Sequence, residues 1–399
     1  MNIRYLLCVL LGLPLFWLSA VSAIGASLPF GEGTWFGSGY RSAAAAETLL
    51  RRQTARNKNL LPKKLDPEIR SLSMRAFAIE PTNAETVRML GLLQVEKAGA
   101  ASARKTMQLA SKISRRDALT SLWLVEDYGR QNNLEEVLKH LDYALRTSGD
   151  SRSFLMAALI QGMKQKEMVS PMRKLLVRQP PWEEQFWLSI SEADSPLDNA
   201  LLLRVAEHKD RHPVPTLIDE RLLRNLVQTG NFAGAFRLYR EVLEPEIANG
   251  RRKGDDRRFA QFSTWPPMGW QLASEGTHSA WINPETGELE ATLSGQVEAI
   301  FARRLVELAP GKYRVSAELA ADGEVQESAL HIALECAEAD TAKAFRTRVT
   351  FQNLKATRVV DIPAGGCRYF WFDVNGSPSG RSSSYEAFFR SASIVPSNG

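Results

Sequence analysis

The chain has 399 residues, 44% of them apolar and 24% charged, which is enough for two or three domains and argues against wholesale disorder. Its net charge of +5 is uneven: residues 255–399 hold 14 basic and 18 acidic side chains, the first 254 hold 36 and 27. That split points to two units with different surfaces, and without zinc-finger spacing, an RNP signature or bZIP heptads no nucleic-acid partner is expected.

The first element is an uncharged stretch, Tyr5 to Gly31. Within it "YLLCVLLGLPLFWLSAVSA" follows Arg4 and ends in small residues, so residues 1–24 read as a signal sequence or membrane anchor. Two outcomes stand side by side: retention as an inner-membrane anchor through residues 5–23, or cleavage after Ala23. The run exceeds the usual signal core, which favours the anchor. Arg4 and the absence of Lys or Arg over residues 24–40 place the body outside the cytoplasm, in the periplasm. Residues 25–45, rich in Gly, Ser and Ala, read as a spacer.

From 46 to 250 the pattern is helical, and it repeats. Leu90-Gly91, Ala103 and Ala110 return 34 positions later as Leu124-Val125, Val137 and Ala144. Thirty-four positions before Ala110 is Ala76, with Pro81 after it; a later unit has Gly230-Asn231, Ala235 and Tyr239. A helical hairpin of this size cannot bury its own apolar face, so units must stack, with small residues where helices approach most closely. The pattern resembles the tetratricopeptide repeat over roughly 66–149 and 216–247, and the resemblance implies an α-solenoid. Residues 150–215 are out of phase and read as degenerate hairpins. A generic antiparallel helix bundle is the competing reading. In that repeat family the first helix of each hairpin lines the concave face. Carried onto the matching positions, this puts Arg88, Glu126 and Arg130 in a groove for a protein partner.

After 250 the grammar changes. "KYRVSAEL" alternates Tyr313, Val315, Ala317 and Leu319 against Lys312, Arg314, Ser316 and Glu318, a half-buried strand entered through Pro310-Gly311. "ALHIALEC" groups Leu330, Ile332, Leu334 and Cys336 on one face, leaving His331 on the other and exposed. About eight such strands over 255–399 predict an antiparallel β-sandwich. Phe262, Trp265 and Gly269-Trp270, then "LAPGKYRVSAEL", resemble the jelly-roll, carbohydrate-binding-module-like domains; such sandwiches are functionally diverse, so the likeness speaks to fold before ligand.

Four aromatics in this half are candidate ligand contacts. Trp270, two residues before Leu272, belongs to the core. Trp265 precedes Pro266-Pro267, which cannot donate ladder hydrogen bonds, so it lies on an edge or loop. Trp281 stands beside the "NPETGE" turn. If Phe370, Phe372 and Val374 face inward, Tyr369 and Trp371 face out, and exposed rings suit a sugar face or a protein surface. Cys336 and Cys367 remain once Cys8 is assigned to the apolar segment, and an even pair in an exported chain reads as a disulfide, with two buried free thiols the alternative. Cys367 shares parity with Tyr369 and Trp371, which is awkward for a core bridge unless its place at the strand start frees it.

Catalytic signals are absent: no H-E-x-x-H, no G-x-S-x-G, no P-loop, no dinucleotide fingerprint, and so no cofactor is expected. His208 and His212 share a helix face, but no third ligand is nearby and no metal site is read there. A glycosidase carboxylate pair is defined by distance in space, which spacing along the chain does not give. Taken together, the chain resembles the envelope repeat proteins of proteobacteria that accompany cell-surface polysaccharide synthesis and export. The resemblance implies a non-catalytic exported protein whose solenoid holds an envelope protein and whose sandwich holds a glycan or a second protein. A pure protein–protein scaffold is the alternative, and a carbohydrate-active enzyme the third reading.

Overall fold

The computed structural model describes residues 39–57, 64–147, 149, 152–212, 214–244, 259, 264–320, 327–338, 345–378 and 384–397. The apolar segment 5–23 lies outside the described residues. No helix among them is long and apolar enough to cross a membrane.

Twelve α-helices among the described residues precede eleven strands. The first six are α1 (Gly39–Arg56), α2 (Pro67–Ile79), α3 (Ala84–Ala98), α4 (Ala100–Ile113), α5 (Ala118–Arg130) and α6 (Leu134–Thr147). Helix α1 begins inside the stretch read as a spacer, because "SAAAAE" is among the best helix-forming sequence there is. These helices pack most heavily in consecutive pairs, α1 with α2, α3 with α4 and α5 with α6, and each pair packs on the next. The small repeat residues sit at the contacts: Ala76, Ala103, Ala110 and Ala144 have no exposed surface. At Gly91 a Cβ would meet Met107 at 2.9 Å, so α3 lies too close to α4 for any larger residue to fit without displacing that side chain. Boundaries follow local chemistry: Asp66 caps α2 by accepting from the Glu68 amide, and Asn83 caps α3 by accepting from Thr86.

Then come α7 (Arg152–Gly162), α8 (Val169–Leu176), α9 (Glu183–Ile190), α10 (Leu197–Arg211), α11 (Leu217–Gln228) and α12 (Phe232–Leu238). The chain divides into two compact units after Phe186, within α9. The last helices therefore belong to the same unit as the strands, and not to the helical repeats before them. Arg204 of α10 makes two hydrogen bonds of 2.6 and 2.7 Å to Asp219, which also closes the capping box of α11 with Thr216.

The strands form two antiparallel sheets. One has the order β1 (Gln271–Leu272), β5 (Ala299–Glu307), β10 (Tyr369–Gly376), β7 (Leu330–Cys336), β8 (Arg346–Thr350). The other runs β2 (Ser274–Glu275), β3 (His278–Ile282), β4 (Leu289–Ser294), β11 (Ser384–Pro396), β6 (Gly311–Leu319), β9 (Lys355–Ile362). Eleven strands thus replace the eight expected; β1 and β2 are two-residue pieces with no periodicity to read. The alternation in β6 holds, with Val315, Ala317 and Leu319 buried. The core between the sheets contains Trp270, Phe301, Phe370, Phe372, Val374 and Phe389.

Candidate functional site

Strand β10 sorts its side chains by parity. Phe370, Phe372 and Val374 are fully buried between the sheets, which puts Tyr369, Trp371 and Asp373 on the opposite face. Register sets their neighbours there: Glu307, Leu305 and Arg303 across β5, and Glu335 across β7 from Trp371. Arg303 makes a two-pronged contact to Asp373, at 3.2 and 3.1 Å, and lies 4.5 Å over the Trp371 ring. Burial raises the Asp373 carboxyl above the usual aspartate range, and Arg303 offsets part of that.

Tyr369 is not an exposed platform. It is 7% exposed because α12 covers it: Phe232 and Phe236 lie 5.6 and 5.4 Å from its ring. Parity alone gave the face correctly but could not show that a helix from over a hundred residues earlier caps it. Trp371, half-buried, lies at the edge of this cover. The result is a cleft of about 670 Å3 between the α11–α12 turn and the end of the sheet. Trp371 and Tyr369 form its aromatic wall; Gln228, Asn231 and Glu338 supply polar groups. Glu338 is anchored by accepting from the backbone amides of Arg368 and Tyr369 with one carboxylate oxygen. The adjoining corner is fixed by the Cys336–Cys367 disulfide, whose Cα atoms are 5.9 Å apart. The parity problem dissolves because Cys367 sits in the turn before β10, where the pleat does not yet constrain it.

The other aromatic candidates are elsewhere. Trp281, 51% exposed, projects from β3 of the second sheet opposite Glu290, so it shares no surface with Trp371. Trp265 is half-buried in the turn before β1, with φ 58°, and its carbonyl accepts from the Met268 and Gly269 amides. His331 is 3% exposed, not exposed as its strand parity suggested. Arg348 reaches its Nδ1 at 2.9 Å and Glu298 its Nε2 at 3.1 Å, forming a polar cover that only the neighbouring strand and a loop can supply.

In the helical unit, two clefts of about 610 and 370 Å3 are lined mainly by α1, α3 and α5, the first helix of each pair. Arg88 lines the base of both clefts. It is 2% exposed, donating from Nη2 to Glu47 at 2.8 Å and from Nε to Asp117 at 2.9 Å. Helical periodicity places Arg88 toward the groove, and there two carboxylates, from α1 and the start of α5, hold it at the base between helices. Beside it, burial raises the Glu85 carboxyl, and the nearby Glu47 and Asp117 charges raise it further. Glu126 lines the smaller cleft. Arg130, exposed one turn on, pairs with Glu126 and does not line either cleft. Sequence reasoning missed the apolar groove side chains Tyr40, Leu119 and Trp123, and charged ones such as Glu47, Glu85 and Asp117. Exposed apolar residues on a helix are a readable signal, but only once the periodicity says which face is already buried. In the sandwich unit, Gln228, Asn231 and Glu338 carried no such signal, since the turn and the strand end that bring them together are over a hundred residues apart.

No family model and no curated protein matches this chain. Solved structures do. A CBM4 module aligns at 13% identity over 33% of this chain and 88% of its own length, with a TM-score of 0.24. TmCBM61, solved in complex with β-1,4-galactotriose, aligns at 15% identity over 36% of this chain and 97% of its own, also with a TM-score of 0.24. Both are carbohydrate-binding modules matched on the C-terminal sandwich.

Proposed function

We propose that this chain is a non-catalytic, exported binding protein of a bacterial envelope whose C-terminal unit holds a glycan. The observation that carries the reading is the cleft at Trp371. A sugar ring needs a flat apolar face for its C–H side and fixed polar groups for its hydroxyls. Trp371 offers the first, stiffened by Arg303 over its ring, and Gln228, Asn231 and Glu338 offer the second. Glu338 is pre-ordered by two backbone amides, so little freedom is lost when a hydroxyl donates to it. Export is supported by the disulfide and by the apolar N-terminal stretch. The helical clefts, with exposed Tyr40 and Leu119 around them, suit a protein segment; this second role rests on the tetratricopeptide resemblance. The proteobacterial, polysaccharide-linked setting rests on the envelope-protein resemblance. A glycan array probed with the full chain tests the proposal. Selective retention of one oligosaccharide class supports it; a blank array with a folded protein favours the protein-only scaffold.

A further inference from the structure

The two clefts of the helical unit are one groove, since both are lined by Glu47, Arg51, Arg88 and Leu119. Its smaller end, of about 370 Å3, is walled chiefly by Leu50, Leu92, Met107, Leu119, Leu122 and Trp123, drawn from α1, α3, α4 and α5. Leu119 is 43% exposed, and Tyr40 and Ile113, which line the larger end, are 41% and 38% exposed. Large apolar side chains left open around one concave surface mark a place where another molecule can take apolar area out of water.

The larger end carries the charge. Glu47 accepts from Arg51 and, at 2.8 Å, from Arg88; Asp117 accepts from Arg88 at 2.9 Å and from the Thr120 hydroxyl at 2.6 Å. Both arginines are thus taken. Glu85 lines the same end, half-buried in the first turn of α3, and has no hydrogen-bond or ion-pair partner among the described residues. A first-turn acid suits the helix dipole, but this one stands beside two further carboxylates, and burial together with those charges raises it above the usual glutamate range. Arg116, the other cation of this wall, is exposed and is not among the charges that act on Glu85. A purely apolar ligand would leave Glu85 desolvated and unpaired, and an acidic one would add a like charge to three carboxylates.

Resting on the reading of this groove as a protein site, we infer that its occupant is a basic and apolar segment of a partner protein, with an arginine or lysine on Glu85 and a large apolar side chain between Leu92 and Trp123. The test is selection of random dodecapeptides displayed on phage against the full chain, then fluorescence anisotropy with the enriched peptide. Enriched peptides share one basic and one large apolar residue at a fixed spacing. Glu85→Gln removes an unpaired acid, so it melts no lower than wild type, yet it weakens the peptide at least about tenfold. Replacing the peptide's basic residue with norleucine costs wild type as much and costs Glu85→Gln little more, because the two changes break the same contact. Leu119→Ser, an exposed change, weakens the peptide about fivefold. Acidic or purely apolar peptides, or a basic residue whose loss costs Glu85→Gln as much as wild type, overturn the inference while keeping the groove as a protein site. No enrichment by the folded chain overturns both. Self-association that Leu119→Ser abolishes assigns the groove to a second copy of the chain and also overturns it.

Discussion

Replacing Arg88 with methionine tests whether it is a structural keystone or a surface contact. The side chain is 3% exposed and bonds Glu47 and Asp117, which come from different elements and are themselves mostly buried. Methionine keeps much of the volume and removes the charge, leaving both acids near the half-buried Glu85. Removing one partner of a buried ion pair costs about 3–5 kcal/mol. Glu47 retains Arg51, and Asp117 keeps the hydroxyl of Thr120 at 2.6 Å, so the low end applies, about 3 kcal/mol. For a unit of this size that is a loss of roughly 6–12 °C in Tm. Thermal unfolding by far-UV circular dichroism, with hydrogen exchange of the α3 and α5 amides, reads it directly. Arg88→Met, Glu47→Met, Asp117→Asn together restore most of the loss, since an apolar replacement of a buried ionic group is often neutral. Arg130→Glu, at an exposed pair, changes stability by less than about 1 kcal/mol. An Arg88→Met protein that melts with wild type would refute the buried network.

Other outcomes follow from the same contacts. Trp270 packs 5.1 Å from Phe259 and 5.5 Å from Phe372, so Trp270→Ala costs the sandwich unit about 3–5 kcal/mol in chemical denaturation; a loss under about 1 kcal/mol contradicts its core assignment. Cys336→Ala with Cys367→Ala opens a loop of sequence separation 31 and costs roughly 3–4 kcal/mol, and peptide mapping of untreated protein finds the two linked. His140 and His331 are both held to a pKa of about 4 in the folded state by burial, below the unfolded value. The unfolded chain therefore binds more protons between those values. Stability is full above pH of about 6.5 and falls as the pH drops toward about 4, by roughly 2 kcal/mol per histidine after allowance for screening. His140→Gln flattens that acid limb for the helical unit; an unchanged limb means the ring is already charged in the fold.

How much of this could be read from the sequence depends on range. The inward row Phe370, Phe372 and Val374, the burial of Trp270 and the pairing of Cys336 with Cys367 all follow from strand parity, spacing or compartment, which are local. The small residues of the 34-residue pattern do mark close helix contacts, as Gly91 against Met107 shows. What failed is what depends on distant neighbours. Arg88 does line the groove, but its burial there was not readable, because Glu47, 41 positions earlier, reaches it. Tyr369 is covered because Phe232 and Phe236 fold onto it. His331 is enclosed by Arg348 and Glu298, residues on either side in the chain that only the sheet brings together. Trp281 and Trp371 were both readable as candidate contacts, but that they occupy different sheets was not.

The most direct test of the central claim is a paired titration of the full chain, wild type and Trp371→Ala, with the surface polysaccharide of its source organism, followed by calorimetry. Because Trp371 sits at the edge of the α12 cover and not in the core, the variant keeps its fold. The account predicts saturable binding by wild type, a loss of at least about tenfold in Trp371→Ala, corresponding to one aromatic–ring contact, and wild-type affinity in Trp281→Ala. Equal binding by wild type and Trp371→Ala, or none by either, would contradict the assignment of the cleft as a glycan site.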